Sequence, residues 1–441
     1  MQKITIERSE TEFYTAHSGL SLAGLLVNHH TELCRKADLS VAGTPSVSHS
    51  DVLKSYLGLL CIGKSDFEAV AGMRRDDWFK AALAIRKVPS KETLRQRFDK
   101  HAQVLQDIVN ESSIEMLKAV EAPVTAETMG RVPLDIDVFP MDNSDTKKEG
   151  VSRTYKGFDG YAPIAAYLGE EGWCIGLELR EGRQNSQNGF VPFLDRVIQR
   201  ARQLTKKALL VRLDAAHCAL ETLVALRQRK KVAFVVKWNP RKEDPLAWRD
   251  RLFAKGKVTE PRRGKKVAVM TVHETREVDG KKKRFMRVMR VTERTMDRDG
   301  QMLLVPDVTL EGWWTNLVLP EERIIRLYEE HGTSEQFHSE IKTDLDMERL
   351  PSGKFATNAL VLTCAGMTYN ILRIIGQLGL LGDASPVRHP AKRRRIRTVL
   401  QELMTVAGRL LRTGRRLILR LGRHCPAYEA FRDVHMRLSP G

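Results

Sequence analysis

The sequence predicts a mixed α/β protein: a mixed sheet with flanking helices, interrupted by a β-rich insert, preceded by a helical region and followed by a basic helical tail. Three observations carry that prediction. Apolar residues recur at three- and four-residue spacing through residues 1–128, as in amphipathic helices. From residue 131 the period falls to two, and the segments follow the order β-β-β-α-β-α-β. Between residues 240 and 319 the helical signal disappears. The expected divisions are 1–128, 129–239, 240–319, 320–384 and 385–441, the third splitting one core into the second and fourth.

In the first division, residues 52–61, 65–72, 76–85 and 91–120 read as helices, with Ser65 and Ser90 as N-caps. A turn at Met73-Arg74-Arg75 suggests a helix-turn-helix-like unit with Thr93, Arg95, Arg97 and Lys100 on a DNA-facing helix. The alternative is a small bundle whose charged face is solvated. In the core, residues 131–139, 161–168 and 173–179 read as successive strands. A helix follows over 190–204, with Phe190, Phe193, Leu194, Val197, Ile198, Ala201 and Leu204 on one side. A strand at 208–213, a helix at 218–229 and a strand at 232–237 complete this part.

The insert shows strands at 267–272, 284–291 and 302–305, with Asp279-Gly280 as the turn between the first two. Helices resume over 321–375. A break at 385–390 then leads into a long basic helix over 392–420, where Leu410, Leu411, Leu417, Ile418 and Leu421 interleave with Arg409, Arg412, Arg415, Arg416 and Arg420.

The net charge is +18, which favours a polyanionic partner, nucleic acid first. The excess is uneven: residues 385–441 hold fourteen Lys/Arg against three Asp/Glu, and Arg393, Arg394 and Arg395 at the head of that tail are candidate phosphate contacts. Six scattered cysteines with no Cys-x-x-Cys pair argue against a structural zinc or a disulfide framework and suit a reducing cytosol. The first residues lack an apolar signal core. The apolar stretch 355–381 contains Asn358, Asn370, Arg373 and Gln377, so it reads as a buried helix rather than a membrane span. A soluble cytoplasmic protein is expected.

Two carboxylate clusters stand at the ends of strand-like segments, Leu134-Asp135-Ile136-Asp137 and Leu210-Val211-Arg212-Leu213-Asp214. Alternate strand residues share a face, so Asp135 and Asp137 point the same way. On one helix, Tyr328, His331, Glu335 and Lys342 would fall within a stripe about 60° wide at 100° per residue. If Asp137, Asp214 and Glu335 converge, they offer hard oxygen ligands to two divalent ions, Mg²⁺ or Mn²⁺, poised against a phosphodiester.

At these residues the chain resembles a DDE transposase of a bacterial insertion sequence, in the branch with a β-stranded insertion in its RNase H-like catalytic domain. That family carries a Tyr-x2-Arg-x3-Glu-x6-Lys signature. Tyr328, Glu335 and Lys342 match it, and His331 stands where the Arg belongs. Tyr161-Ala162-Pro163, Leu179-Arg180-Glu181-Gly182, Phe355-Ala356-Thr357-Asn358 and Tyr369-Asn370 extend the likeness, which covers roughly residues 50–425.

The resemblance implies Glu335 as the catalytic Glu, Asp214 as the second Asp and Asp137 as the first, with Asp135 the other possibility. It further implies two bound Mg²⁺ ions (Mn²⁺ substituting), cleavage at terminal inverted repeats and 3′-hydroxyl strand transfer into target DNA. A homodimer on paired ends, in the cytoplasm with the nucleoid, would follow. Tyr328, His331 and Lys342 become DNA-backbone neighbours. An aromatic of the insert stacks on a displaced base in related enzymes, which makes Trp313 and Trp314 candidates, one of them belonging to the core because neighbours on a strand face opposite ways. The alternatives are a structure-specific nuclease of the same fold and a catalytically inactive DNA-binding derivative. The presence of all three carboxylates counts against the second.

Overall fold

The computed structural model describes residues 4–440 apart from 8, 41, 42, 44, 242, 298 and 415, so the predicted Arg415 lies outside the described residues. The chain opens with β1 (Phe13–Thr15), α1 (Leu20–His29), α2 (Leu33–Ser40), α3 (His49–Leu60), α4 (Val70–Met73), α5 (Asp77–Ala82) and α6 (Lys91–Ala119). Ser90 caps α6 by accepting a bond from the Thr93 amide at 3.1 Å. Ser65 does not cap. Asp66 takes that place at the turn before α4, and the Ser65 hydroxyl donates to Asp346 instead. Leu94, Phe98 and Leu105 bury one side of α6 while Arg95 and Lys100 stay exposed. The backbone leaves helical geometry at His101 (φ −124°, ψ 19°), which kinks α6 between a first part carrying Thr93, Arg95, Arg97 and Lys100 and a second part, and α6 packs on a second long helix of the core.

The central order appears as the periodicity predicts. It runs β2 (Val132–Val138), β3 (Met141–Asp142), β4 (Ser152–Arg153), β5 (Asp159–Tyr161), β6 (Ile164–Leu168), β7 (Trp173–Glu178), α7 (Phe190–Leu204), β8 (Leu209–Leu213), α8 (Leu220–Gln228) and β9 (Val232–Lys237). Pro163, which has no amide proton to give a ladder, divides the expected second strand into β5 and β6.

The insert is not free of helix. It begins with α9 (Pro245–Lys255), capped by Asp244, which accepts from the Leu246 amide at 2.9 Å, with Pro245 at the first position. β10 (Lys257–Arg262), β11 (Lys265–Val278), β12 (Lys281–Met296) and β13 (Met302–Thr315) follow. Asp279 and Gly280 take φ values of 52° and 71° between paired Val278 and Lys281, the left-handed pair a two-residue hairpin requires. β13 pairs with β9, so the insert prolongs the central sheet into nine strands ordered β10-β11-β12-β13-β9-β8-β2-β6-β7.

After the insert come α10 (Glu321–Glu329), α11 (Thr333–Ser339), α12 (Phe355–Gly379), α13 (Ile396–Val399), β14 (Gly408–Thr413), β15 (Arg416–Leu421) and α14 (Tyr428–Leu438). The predicted basic helix over 392–420 does not form. Leu417, Leu419 and Leu421 repeat at a period of two, and Gly414 at φ +54° sits between the strands, so the segment makes a hairpin. β14 also pairs with β1, and α1 packs on α14, so the chain's two ends meet. α12 is long and apolar enough to cross a bilayer, and it is buried within the protein. Two of its polar residues tie it to neighbouring elements: Asn370 bonds both backbone groups of Cys174, and Arg373 pairs with the buried Glu340. All six cysteines are free thiols.

The sheet has two unlike faces. Leu134, Ile136, Val211 and Leu213 join the large core that contains α6, α7 and α12. Leu210, Ala233, Val235, Val288 and Trp313 join a smaller core closed by Ile324, Ile325 and Leu327 of α10. Asp135, Asp137, Arg212 and Asp214 alternate onto this second face.

Candidate active site

β2 and β8 run parallel with Asp135 opposite Arg212, and Asp137 and Asp214 lie just past the last paired residues, Ile136 and Leu213. Asp135 is buried, and both of its oxygens are committed. Arg212 donates Nε at 2.5 Å and Nη2 at 2.7 Å, and His331 Nδ1 lies 3.0 Å away. The remaining Arg212 nitrogen, Nη1, donates to the Leu327 carbonyl at 3.0 Å, tying the strand pair to α10. Burial pushes the Asp135 carboxyl up, but Arg212 and His331 outweigh it and hold it down to about 2. Of the two candidate aspartates on β2, this one is an internal counter-ion.

Asp137 is in the opposite condition. Its Oδ1 accepts the Val138 amide at 2.8 Å, and its Oδ2 lies 3.9 Å from His338 Nδ1. That imidazole is pushed down to about 3, chiefly by burial, so it is neutral; it stacks on Phe139 at 4.4 Å. With no cation paired to it, Asp137 is pushed up to about 7, first by burial, then by the charge of Asp214, with Glu335 adding to it. Asp214 caps the turn at residues 215–217, accepting from the Ala216 amide at 3.1 Å, and lies 2.9 Å from His217 Nδ1. Burial raises its carboxyl, but His217 outweighs this and leaves it below the ordinary range. Glu335 is exposed on α11.

Asp214 and Glu335 thus both act on Asp137, and His331 offsets them only in part. Among the described residues, no three His, Cys, Asp or Glu side chains are already in ligating contact. The donor set fits Mg²⁺ or Mn²⁺: Asp137, Asp214 and Glu335 supply hard oxygens, and a cation between them would relieve the repulsion that raises Asp137.

The stripe from Tyr328 to Lys342 is not one uniform α-helix. A 3₁₀ turn at Glu330–Gly332 and a π turn at Glu340–Asp344 interrupt it, which shifts the phase at both ends. Tyr328 is half-buried against Trp313, with Lys237 over its ring at 5.5 Å. His331 is buried on Asp135 and is not a surface residue. Lys342 gives its ammonium to the Pro140 carbonyl at 2.9 Å and to Glu348 at 2.9 Å, bracing the end of β2.

The two tryptophans do face opposite ways, but neither presents a ring to solvent. Trp313 is fully buried with Lys237 and Arg290 against it, and Trp314 is buried beside Arg287 and Phe285. Arg393, Arg394 and Arg395 are likewise turned to the protein. Arg393 bonds Gln336 and the Glu170 carbonyl, Arg394 the Leu380 and Val387 carbonyls, and Arg395 Asp344 and Ser339. In this chain all five have polar or aromatic groups engaged within the fold, while the Arg395 side chain keeps 41% of its surface exposed.

Sequence reading missed four residues. Arg212 was legible, because alternation puts it on the face of Asp214 and parallel pairing sets it against Asp135. His217 was legible as a neighbour of a capping Asp three residues earlier. His338 gave no signal as a neighbour of Asp137, whose Oδ2 its buried ring approaches to 3.9 Å. Tyr155 gave no signal. The residue is 66% exposed between β4 and β5, but its hydroxyl end turns inward, 3.4 Å from the Val138 carbonyl, and the desolvation of that end together with the charges of Asp137 and Asp214 pushes its phenol up to about 12.

A family profile described as "Transposase DDE domain group 1" matches residues 35–440. No curated protein sequence matches. Among solved structures, the cryo-EM structure of the piggyBac transposase synaptic complex with hairpin DNA is similar at 11% identity with a TM-score of 0.44, covering 89% of this chain and 82% of that one.

Proposed function

The chain belongs to the DDE transposases of domain group 1, and from that premise we propose that it cuts the terminal inverted repeats of an insertion sequence and joins the freed 3′-hydroxyls to target DNA. The observation that carries this reading is the crowding of Asp137 by Asp214 and Glu335, only partly offset by His331 and the Val138 amide, beside an Asp135 paired to Arg212. Asp137, Asp214 and Glu335 hold two Mg²⁺ or Mn²⁺ ions. When bound, such ions supply an activated water or 3′-hydroxyl and stabilise the leaving 3′-oxygen.

The protein does the rest by placement. Arg212 and Asp135 lock β2 to β8 and to α10, which keeps Asp137 and Asp214 side by side. His217 and the Ala216 amide orient Asp214, and Lys342 fixes the turn after β2. The core is RNase H-like, and the protein acts as a homodimer, one site per transposon end, in the bacterial cytoplasm with the nucleoid. The net charge of +18 supports a DNA partner.

The test incubates the full chain with Mn²⁺ and a duplex carrying the inverted repeat that flanks its gene, with a second duplex as target. Cleavage followed by joined products is expected. Cleavage with no joined product favours a nuclease. Parental cutting by Asp214→Ala and Glu335→Ala would remove the metal-site assignment.

A further inference from the structure

His331 is the residue at which this chain departs from the signature it otherwise matches, and its surroundings are those of a ligand. The imidazole is 6% exposed. Its Nδ1 lies 3.0 Å from Asp135 Oδ1, and that carboxylate is ionised because Arg212 holds it so. Nδ1 therefore donates to Asp135, and in the neutral ring the lone pair is carried by Nε2. Nε2 is buried with no hydrogen-bond partner in the protein, and leaving a buried polar atom unmade costs about 1–3 kcal/mol. The Asp135 carboxylate that the ring touches lies two residues from Asp137 on the same face of β2. A carboxylate that fixes one imidazole nitrogen while the other stays free is the arrangement that metal-bound histidines use.

We propose that His331 Nε2 is a nitrogen ligand to one of the two divalent ions, beside Asp137 and Asp214, with Asp135 as its orienting partner. The inference rests on the metal-centre reading above. It assigns Asp135, Arg212 and His331 to one chain of support ending at the ion. It also predicts a metal preference: imidazole among carboxylates tilts a site away from Mg²⁺ and toward Mn²⁺.

Pulsed electron paramagnetic resonance of Mn²⁺ added to the full-length protein tests this without any turnover. The parent should show ¹⁴N coupling that changes to ¹⁵N coupling when the protein is made with ¹⁵N-histidine. His331→Asn keeps a donor for Asp135 but has no nitrogen in the Nε2 position. It should lose the coupling and bind Mn²⁺ about 10- to 100-fold more weakly, with a smaller change for Mg²⁺. Absence of nitrogen coupling in the parent overturns the inference whether or not the variant folds, as does coupling that persists in His331→Asn. If Asp137→Asn binds Mn²⁺ as the parent does, the metal centre itself is misplaced and both readings fall. If that variant loses Mn²⁺ while the parent shows no nitrogen coupling, only the role of His331 falls.

Discussion

Asp135 and Asp137 sit two residues apart on one face of one strand, yet the regions around them have little in common. Around Asp135 the protein is closed and neutralised, with a guanidinium and an imidazole on its two oxygens. Around Asp137 it is acidic, with Asp214 and Glu335 for company and a neutral His338 beside it. One carboxyl is held at about 2 and the other at about 7. Strand periodicity alone makes the two equivalent. The neighbours brought in by β8 and α10–α11 decide which is structure and which is chemistry.

The largest effect should come from breaking the acidic side. Asp137→Asn removes the proposed metal ligand and should lower cleavage of an inverted-repeat duplex by on the order of 10³-fold or more, since the attacking and leaving oxygens would depend on the ions it holds. The same substitution should leave the metal-free protein as stable or more stable at pH 8, because a crowded buried charge disappears. Denaturant unfolding read beside the cleavage assay checks both halves. A variant that is both inactive and strongly destabilised would merge the two regions again.

Breaking the closed side should give the reverse pattern. Asp135→Asn strands Arg212 in the interior without its counter-ion, which typically costs about 3–5 kcal/mol. The midpoint of urea unfolding should drop accordingly, with activity falling in step with the folded fraction and through looser support of His331.

Much of this division was legible in the sequence. The period of two in 132–138 and 209–213 places the carboxylates and Arg212 on one face, because strand register is enforced by hydrogen-bonded neighbours on both sides. The helical stripe was less faithful, since a 3₁₀ turn and a π turn can shift helix phase without leaving a mark in the apolar pattern. The C-terminal hairpin was misread because leucines interleaved with arginines satisfy a helical and a strand period at once over a short span. The arginines at 393–395 show why charge counts mislead: a basic run can be consumed by carbonyls and carboxylates of its own fold.

The pH dependence should separate the two regions within one protein. A carboxyl raised from 3.8 to about 7 binds its proton more tightly in the folded state, so Asp137 favours folding at low pH. That contribution, at most about 4 kcal/mol, is lost as pH rises from 4 through 7. Asp135, depressed to about 2, has the opposite sign: its contribution is present above pH 4 and is lost as pH falls toward 2. The melting temperature of the metal-free protein should therefore decline between pH 5 and 8, and Asp137→Asn should flatten the decline. Added Mn²⁺ should raise the parent's melting temperature at pH 8 and leave the variant's nearly unchanged.

The smallest effect probes how open the acidic side is to substrate. Tyr155 is carried on the turn between β4 and β5, where the Gly157 amide donates to the Thr154 carbonyl at 3.0 Å and Gly157 takes φ +86°. The ring is exposed, yet its hydroxyl reaches the Val138 carbonyl, one residue from Asp137. A DNA strand whose phosphate lies at Asp137 would pass close to this exposed ring. Stacking of a base or sugar on it is worth about 1–3 kcal/mol, so Tyr155→Ala should lower kcat/KM for cleavage by roughly 5- to 100-fold. The fold should be unaffected, because little is buried. Tyr155→Phe should keep most of the rate, since the face of the ring and not the hydroxyl does the stacking. If alanine and the parent cut alike, the approach to Asp137 runs from another direction, and the open side lies toward Glu335 and α11 instead.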